Sequence, residues 1–379
     1  MASSPQPGEK RKVEDISSDA PLDNIVDIDD LGGDLVLVVG ANLVGSNSTL
    51  FSVEKTVAFR VDYKTLSRKS SVFRAMFDNK SDNYKPGTSK VGWTEHLPDA
   101  SPAGLKFLFL VAHYAGFSRV PNKQSLQEVY EIVEMASKYN LFSLLEGRAR
   151  SWVHDGMSLN QAPLGSPVIQ SASGSELAKR LSIAYGLGNR NLASESIKHI
   201  IRSSYIENGN LVVNGENLER LQFSLAHNIP LWKRERLRVL TSMRQDLHDF
   251  MQELMGLKAF GTYKKCPHHL SQNVEDEVCR SVALGTLQIA LAKRGEWPLP
   301  EAGNTDTWTI FDIKTAWCAF KIRGLSDGIQ KRYRKYECDW AAGLQQRLNI
   351  AAMVAIKFAD AMEAEMKERA AWVGLGNLN

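Results

Sequence analysis

The sequence predicts an α+β domain at the N-terminal end of the chain, followed by an all-α C-terminal domain. Two runs rich in β-branched and aromatic residues, 34–39 and 57–61, are bounded by Gly and polar residues, as strands usually are. A short apolar helix is expected at 66–77, and beyond about residue 175 the apolar residues recur mainly at helical spacing. The chain has 379 residues. It is therefore long enough for two hydrophobic cores, because single cores stop growing near about 250–300 residues.

Residues 1–30 are expected to form a disordered tail, because they combine Pro, Ser, Gly and charge with few aromatic residues. The tail contains a short basic cluster that has the form of a nuclear import signal, made of Lys10, Arg11 and Lys12. A second basic cluster, interleaved with two tyrosines, is also an import candidate and contains Lys331, Arg332, Arg334 and Lys335. Its composition would suit nucleic-acid contact, but a solvated turn has the same composition, so direct nucleic-acid binding is not expected.

The helix expected at 66–77 has a strong start and one apolar face. Ser67 or Ser70 can cap it, because a serine hydroxyl accepts from the free N–H groups of the first turn. One face then carries Val72, Phe73, Met76 and Phe77. A polar loop is expected over 78–92, and after it the sequence predicts a short strand at 93–97.

The N-terminal domain is predicted to span 31–155. Ser101 followed by Pro102 has the form of a helix start, because proline at the first helical position loses no hydrogen bond. Two further helices, from Ser125 and over 141–152, complete the domain. A stretch rich in Pro, Gly and Ser then predicts a linker over 156–175.

The C-terminal domain, 176–379, is predicted to be helical throughout. Helices are expected near 176–187, 191–207, 216–226, 230–256, 274–294, 307–323 and 338–372. In the helix after Pro230, leucines recur every seven residues at 240, 247 and 254. This spacing fits either a self-associating coiled coil or a face that packs within the chain, and the second interpretation is favoured because the heptads are not sustained.

The order of these elements resembles a BTB/POZ domain, of the kind found in many fungal proteins. The residues that carry the resemblance are the strand at 34–39, Phe59-Arg60-Val61 leading into the helix at 66–77, His96-Leu97-Pro98-Asp99, and the segment 130–145. The helical half is similar, more weakly, to the region that follows BTB in those proteins, through Leu284-Gly285-Thr286-Leu287 and Trp297-Pro298-Leu299-Pro300.

The resemblance implies a non-catalytic protein–protein interaction module that forms homodimers, as an adaptor or scaffold. Relatives act as transcriptional regulators through recruited partners, or as substrate adaptors of cullin ubiquitin ligases. Asp62 stands where family members often carry His, and the cullin-binding triplet is degraded around Tyr84, where Pro86 replaces Glu. The interaction residues implied by the resemblance are Asp34, Asp62, Val72, Phe73, Met76, Phe77 and Tyr84.

The sequence offers one weak candidate for a metal site. Cys266, His268 and Cys279 could supply zinc ligands, but their spacing matches no standard zinc finger, and a loop leading to a buried Cys279 explains the same residues. We therefore expect no metal or other cofactor.

No local signature of catalysis is present in the sequence, so we expect the protein not to be an enzyme. The net charge is only +3, and the cysteines are confined to the second half of the chain. No apolar run approaches the roughly 20 residues of a membrane helix. We expect a soluble intracellular protein of the nucleus, the cytoplasm or both, which binds protein partners and no membrane.

Overall fold

The structure, a computed structural model, describes residues 25–28, 33–44, 50–51, 55–81, 93–114, 119–121, 123–152, 172–221, 223, 225–257, 274–299, 307–322, 340–353 and 360–375. The chain divides into two compact units. The N-terminal unit takes its residues from Met1–Ser46, Phe51–Pro121 and Lys138–Leu141, and the helical unit contains the rest. The mixed α+β character and the mostly helical second half agree with the predicted fold class. The predicted domain boundaries remain a prediction.

A four-stranded sheet forms one layer of the N-terminal unit. Its strands are β1 (Ile25–Asp27), β2 (Leu35–Val39), β3 (Val57–Val61) and β4 (Trp93–Leu97), in the order β1-β3-β2-β4. The central pair is antiparallel, with Leu37 opposite Phe59, whereas β1 runs parallel to β3 and β4 runs parallel to β2. The strands expected at 34–39, 57–61 and 93–97 are all present.

Strand β1 lies among residues that the composition assigned to a disordered tail. The hydrogen bonds between the two parallel strands hold β1 to β3. Just after β1, the Ile28 N–H donates to the Arg60 carbonyl oxygen over 3.0 Å. Asp27 and Arg60 also form an exposed ion pair at 3.3 Å. The β-branched residues Ile25, Val26 and Ile28 are the local signal for this strand. For residues 25–28, the prediction of disorder was therefore wrong.

The helix expected at 66–77 is two helices, α1 (Tyr63–Lys69) and α2 (Ser71–Ser81), separated by Ser70. Ser70 has extended backbone angles, and its side-chain oxygen accepts from the Phe73 N–H over 2.9 Å. The same hydroxyl donates to the Tyr139 carbonyl oxygen over 2.5 Å. Ser70 therefore caps α2, as one of the two predicted caps.

The core of the N-terminal unit lies between helices and the face of the sheet that carries Leu35, Leu37 and Val39. Helix α3 (Pro102–His113) begins at the predicted position, where the Ser101 hydroxyl accepts from the Gly104 N–H. The buried aromatic residues of the core include Phe59, Phe73, Phe77, Phe109 and Tyr139.

The helical unit contains helices of very different length. They are α4 (Leu126–Lys138, whose last residue falls in the N-terminal unit), α5 (Glu146–Ser151), α6 (Gly174–Gly186), α7 (Arg190–Ser203), α8 (Ile229–Leu254), α9 (Val274–Lys293), α10 (Ile310–Cys318), α11 (Trp340–Ala351) and α12 (Asp360–Trp372). Short 3₁₀ turns lie at Phe142–Leu145, Leu218–Arg220 and Ala226–Asn228. The helix predicted over 338–372 is thus interrupted after Ala351.

The second half is not all-α, because it contains a small antiparallel sheet of β5 (Ser204–Glu207), β6 (Asn210–Val213) and β7 (Glu216–Asn217). Two-residue turns join these strands, Asn208-Gly209 and Asn214-Gly215, and all four turn residues have positive φ. Asn-Gly is the strongest short signal for such turns. The helix predicted over 191–207 therefore ends at Ser203, and the prediction was wrong for 204–207 and for the helix over 216–226.

The heptad leucines of α8 face the interior of the helical unit. Leu240, Leu247 and Leu254 are each at most 3% exposed, whereas Leu237 beside them is 44% exposed. A seam for self-association would need these leucines on the surface. The spacing therefore serves packing within the chain, which was the favoured interpretation.

Candidate functional site

Two of the residues singled out from the sequence, Asp34 and Asp62, meet at the start of α1. The Asp34 carboxylate accepts from the Tyr63 N–H over 3.1 Å. The Asp62 carboxylate accepts from the Thr65 N–H over 2.9 Å and from the Thr65 hydroxyl over 2.6 Å. Asp62 is thus the N-cap of α1, and the two carboxylates satisfy donors that the helix itself leaves free.

A histidine that sequence reasoning did not select joins this junction. The Asp62 N–H donates to Nε2 of His113 over 3.0 Å, and Nδ1 of His113 lies 2.8 Å from the Phe109 carbonyl oxygen. A carbonyl oxygen only accepts, so Nδ1 carries the proton and Nε2 is the acceptor. His113 therefore ties the end of β3 to α3.

The chemistry available at this junction is limited by these bonds. The lone pair on Nε2 of His113 accepts a backbone N–H, so it cannot also take a proton from Thr65. Both carboxylates are occupied by backbone N–H groups of α1. We infer that Asp34, Asp62 and His113 position α1 against the sheet. The Asp62 carboxylate caps the first turn of α1.

The pKa of Asp62 lies below its ordinary value. Partial burial raises the pKa, but hydrogen bonds from the Thr65 side chain and from the Thr65 and Lys64 amides more than offset burial. Because the folded-state pKa is depressed, the contribution of the carboxylate to stability is complete above the unfolded-state pKa. It is lost as the pH falls through the folded-state pKa.

We expect Asp62→Ala to lower the free energy of unfolding by about 1 kcal/mol near neutral pH, since an N-cap is lost. The difference from the parent chain should shrink as the pH falls below the ordinary Asp value of 3.8. Urea denaturation across this pH range measures both effects. Asp62→Asn is the control, because it keeps a capping oxygen without the charge. A loss that stays constant down to the most acidic pH would contradict the role of the carboxylate.

The four apolar residues selected on α2 divide into two pairs. Phe73 and Phe77 are 0% and 1% exposed, so they belong to the core and no partner reaches them while this core is intact. Val72 and Met76 are half-buried, and Ala75 between them is exposed. The apolar surface that α2 leaves partly exposed is therefore smaller than the sequence predicts and includes Val72 and Met76.

Cys279 is the only one of the three candidate zinc ligands that the structure describes. It is 1% exposed in α9, where its side chain belongs to the buried face of the helix. Cys266 and His268 lie outside the described residues. Within the described ranges no three His, Cys, Asp or Glu side chains converge as a metal site.

The remaining selected residues also lie outside the described part of the chain. These are Tyr84, the import candidates Lys10, Arg11 and Lys12, and the second cluster Lys331, Arg332, Arg334 and Lys335. Nuclear import and the degraded cullin-binding triplet around Tyr84 therefore stay predictions.

The N-terminal unit contains a groove that sequence reasoning did not anticipate. Its volume is about 760 Å³, and it lies between α3 and the edge of the sheet where β1 meets β3. The lining is largely apolar and comes from Val26, Val38, Val57, Ala58, Phe59, Pro102 and Ala103. A cavity of this size falls in the range of about 300–1,000 Å³ that is typical of ligand sites.

Two lysines give this groove its charge. Lys55, just before β3, and Lys106, in α3, both line it and are both exposed. Among the lining residues that the structure describes, none is acidic. The N-terminal end of α3 lies beside them, and its dipole adds to the positive potential. The groove therefore favours a ligand that is largely apolar and carries negative charge.

Sequence reasoning missed the groove because its residues come from separate segments of the chain. Val26, Lys55 and Lys106 are far apart along the sequence, and none belongs to a motif. The one usable signal was the helix start at Ser101-Pro102, which places Lys106 in the early part of α3.

The described residues contain no helix that is both long and apolar enough to cross a bilayer. The chain matches no family model, and no curated protein sequence is significantly similar to it.

Proposed function

We propose that this chain is a non-catalytic protein–protein interaction protein, whose N-terminal unit is of the BTB/POZ type and binds an extended segment of a partner protein. The observation that carries the proposal is the lysine-flanked apolar groove between α3 and the β1 edge. A protein segment with a few apolar side chains next to Asp or Glu matches its shape and its charge.

The groove can hold an extended peptide for two reasons. Its apolar lining provides a contact area whose burial contributes roughly 25 cal/mol per Å². Among the strands that the structure describes, β1 is at the edge of the sheet and pairs with β3, so main-chain groups of a peptide can add to its outer side. The apolar contacts then provide affinity, and the two lysines select against basic ligands.

The order of elements supports the BTB/POZ type. An antiparallel pair of strands, β2 and β3, is followed by the helical pair α1 and α2, then by β4 beside β2, and then by α3. This is the order on which the resemblance rests. A homodimer of the N-terminal unit is part of the proposal, and we propose the partly exposed Val72 and Met76 of α2 for its contact.

We expect a library of displayed peptides, screened against the full chain, to enrich short apolar sequences flanked by Asp or Glu. Reversing both groove charges, Lys55→Glu with Lys106→Glu, should weaken binding of an enriched peptide by about tenfold or more, because rim charges then repel its ends. Fluorescence anisotropy with the labelled peptide measures this change.

The matched control is Lys64→Glu with Lys69→Glu, which reverses two exposed lysines of α1 outside the groove. This control should leave the affinity within about twofold of the parent value, since neither lysine lines the groove. Failure to enrich any peptide, or an equal loss in both double variants, would contradict the groove as the binding site.

A further inference from the structure

Helix α9 has a second apolar face, which the described residues of its own unit leave partly exposed. Its inner face carries Cys279, Ala283, Leu287 and Leu291, each at most 1% exposed. On the opposite side, residues separated by steps of four, three, four and three form a second line along the helix. We call this line the outer stripe, and it consists of Val278, Val282, Gly285, Ile289 and Ala292.

The outer stripe carries no charge, and its residues are either exposed or partly exposed. Val278 and Ile289 are 42% and 57% exposed, and Ala292 is exposed as well. Between Glu277 and Lys293 the only charged residue is Arg280, which lies outside the stripe. A helix that is apolar on both faces is typical of one that packs on both sides.

Gly285, in the middle of the stripe, is not explained by contacts within the part of the chain that the structure describes. A Cβ added there would meet no described atom within 4 Å, so no described neighbour requires a glycine. Glycine inside a helix costs about 1 kcal/mol relative to alanine. A backbone that approaches α9 closely from outside would explain why the position lacks a side chain.

The arrangement of the stripe points to a second copy of this chain as the occupant. The stripe extends seven residues to either side of Gly285, ending at Val278 and at Ala292. In a two-fold antiparallel pair, Gly285 of one copy would therefore lie beside Gly285 of the other. Val278 of each copy would lie near Ala292 of the other. Such self-complementarity is what a two-fold interface requires.

The charges at the two ends of α9 set the direction of this pairing. Among the residues whose side chains the structure describes, Glu277 is exposed near the start of the helix and Lys293 is exposed at its end. An antiparallel pair brings the acidic start of one copy beside the basic end of the other, whereas a parallel pair would bring like charges together. The helix dipoles favour the same antiparallel direction.

We propose that α9 pairs antiparallel with α9 of a second copy, with the two Gly285 residues at the point of closest approach. The stripe is about 21 Å long at 1.5 Å per residue. This contact is smaller than a standard interface of about 1,200–2,000 Å². We therefore expect weak association that strengthens when another contact already holds two copies together, because the effective concentration rises.

Site-specific crosslinking of the full chain tests this pairing. Gly285→Cys introduces a thiol at the proposed crossing, and mild oxidation should join two copies through it, since a disulfide needs Cα atoms about 4.4–6.8 Å apart. Gly343→Cys is the matched control, because Gly343 is also helical and open, with nothing within 4 Å of an added Cβ. We expect several-fold more covalent dimer with Gly285→Cys than with Gly343→Cys or the parent chain.

The direction of pairing has its own readout. A chain that carries both Val278→Cys and Ala292→Cys should form a disulfide between residue 278 of one copy and residue 292 of the other. A chain that carries only one of these two substitutions should not crosslink through it. Crosslinking by each single variant would overturn the antiparallel arrangement. Gly285→Ala provides a check on folding, since it should raise the thermal midpoint if the glycine serves only the interface.

Dimer formation by Gly285→Cys no greater than by Gly343→Cys would overturn the proposal. Slow reaction of the thiol introduced by Gly285→Cys with a small maleimide, in dilute monomeric chain, would overturn it as well, because the stripe would then be covered within its own chain. The inference is independent of the groove, so peptide binding by the N-terminal unit should be unchanged in the Gly285→Cys chain.

Discussion

Phe73→Ala should lower the free energy of unfolding by about 3–5 kcal/mol, the range for removing a fully buried phenylalanine. The Phe73 ring is stacked on Tyr139, with ring centroids 4.7 Å apart, and on Phe77 at 5.5 Å. A third aromatic ring, Phe109, lies 6.2 Å away. Removing the Phe73 ring therefore leaves a cavity at the centre of the N-terminal unit. Urea denaturation of the full chain measures the loss of unfolding free energy.

Two control variants separate this effect from a binding role for Phe73. Phe73→Leu fills most of the cavity and should cost clearly less than Phe73→Ala, whereas Arg74→Ala changes an exposed neighbour and should stay within about 0.5 kcal/mol. If Phe73 were a contact for a partner, Phe73→Ala would weaken binding with little effect on unfolding. That result would contradict its position in the core.

Gly188→Ala should be the most damaging single change in the helical unit, with a loss above about 3 kcal/mol. Gly188 follows α6 with φ of 72°, a conformation that costs other residues about 1–2 kcal/mol. An added Cβ would also overlap the Met366 carbonyl oxygen and lie 2.5 Å from the Ala370 nitrogen, both in α12. The turn after α6 and helix α12 would have to separate. Thermal unfolding of the full chain would measure the resulting loss of stability.

Gly209→Ala is the matched control for this prediction. Gly209 has φ of 80°, so alanine meets the same backbone strain, but an added Cβ has no neighbour within 4 Å. The difference between the two variants isolates the close approach of α12. Equal losses for Gly188→Ala and Gly209→Ala would show that α12 does not pack on this turn.

Local patterns in the sequence predicted the elements whose causes are local. Ser101-Pro102 marked the start of α3, and the recurrence of leucines at 240, 247 and 254 marked α8. The hairpins of the small sheet were missed although Asn208-Gly209 and Asn214-Gly215 indicate them, because the apolar residues around them also fit helical spacing.

Other features depend on contacts between distant segments, so local patterns could not predict them. Ser70 divides the expected helix because its hydroxyl bonds to Tyr139, 69 positions away. The role of His113 at the Asp62 junction arises from α3 packing on the sheet. The groove likewise exists only once β1, β3 and α3 are assembled.

The most direct test of the proposed function is amide hydrogen exchange of the full chain with and without a peptide enriched from the library. Binding in the groove should slow exchange in β1, at the start of β3 and in the early turns of α3, because a bound segment shields these amides from water. The Lys55→Glu, Lys106→Glu chain should lose this protection. Protection confined to the helical unit, or absent beside the groove, would contradict the proposal.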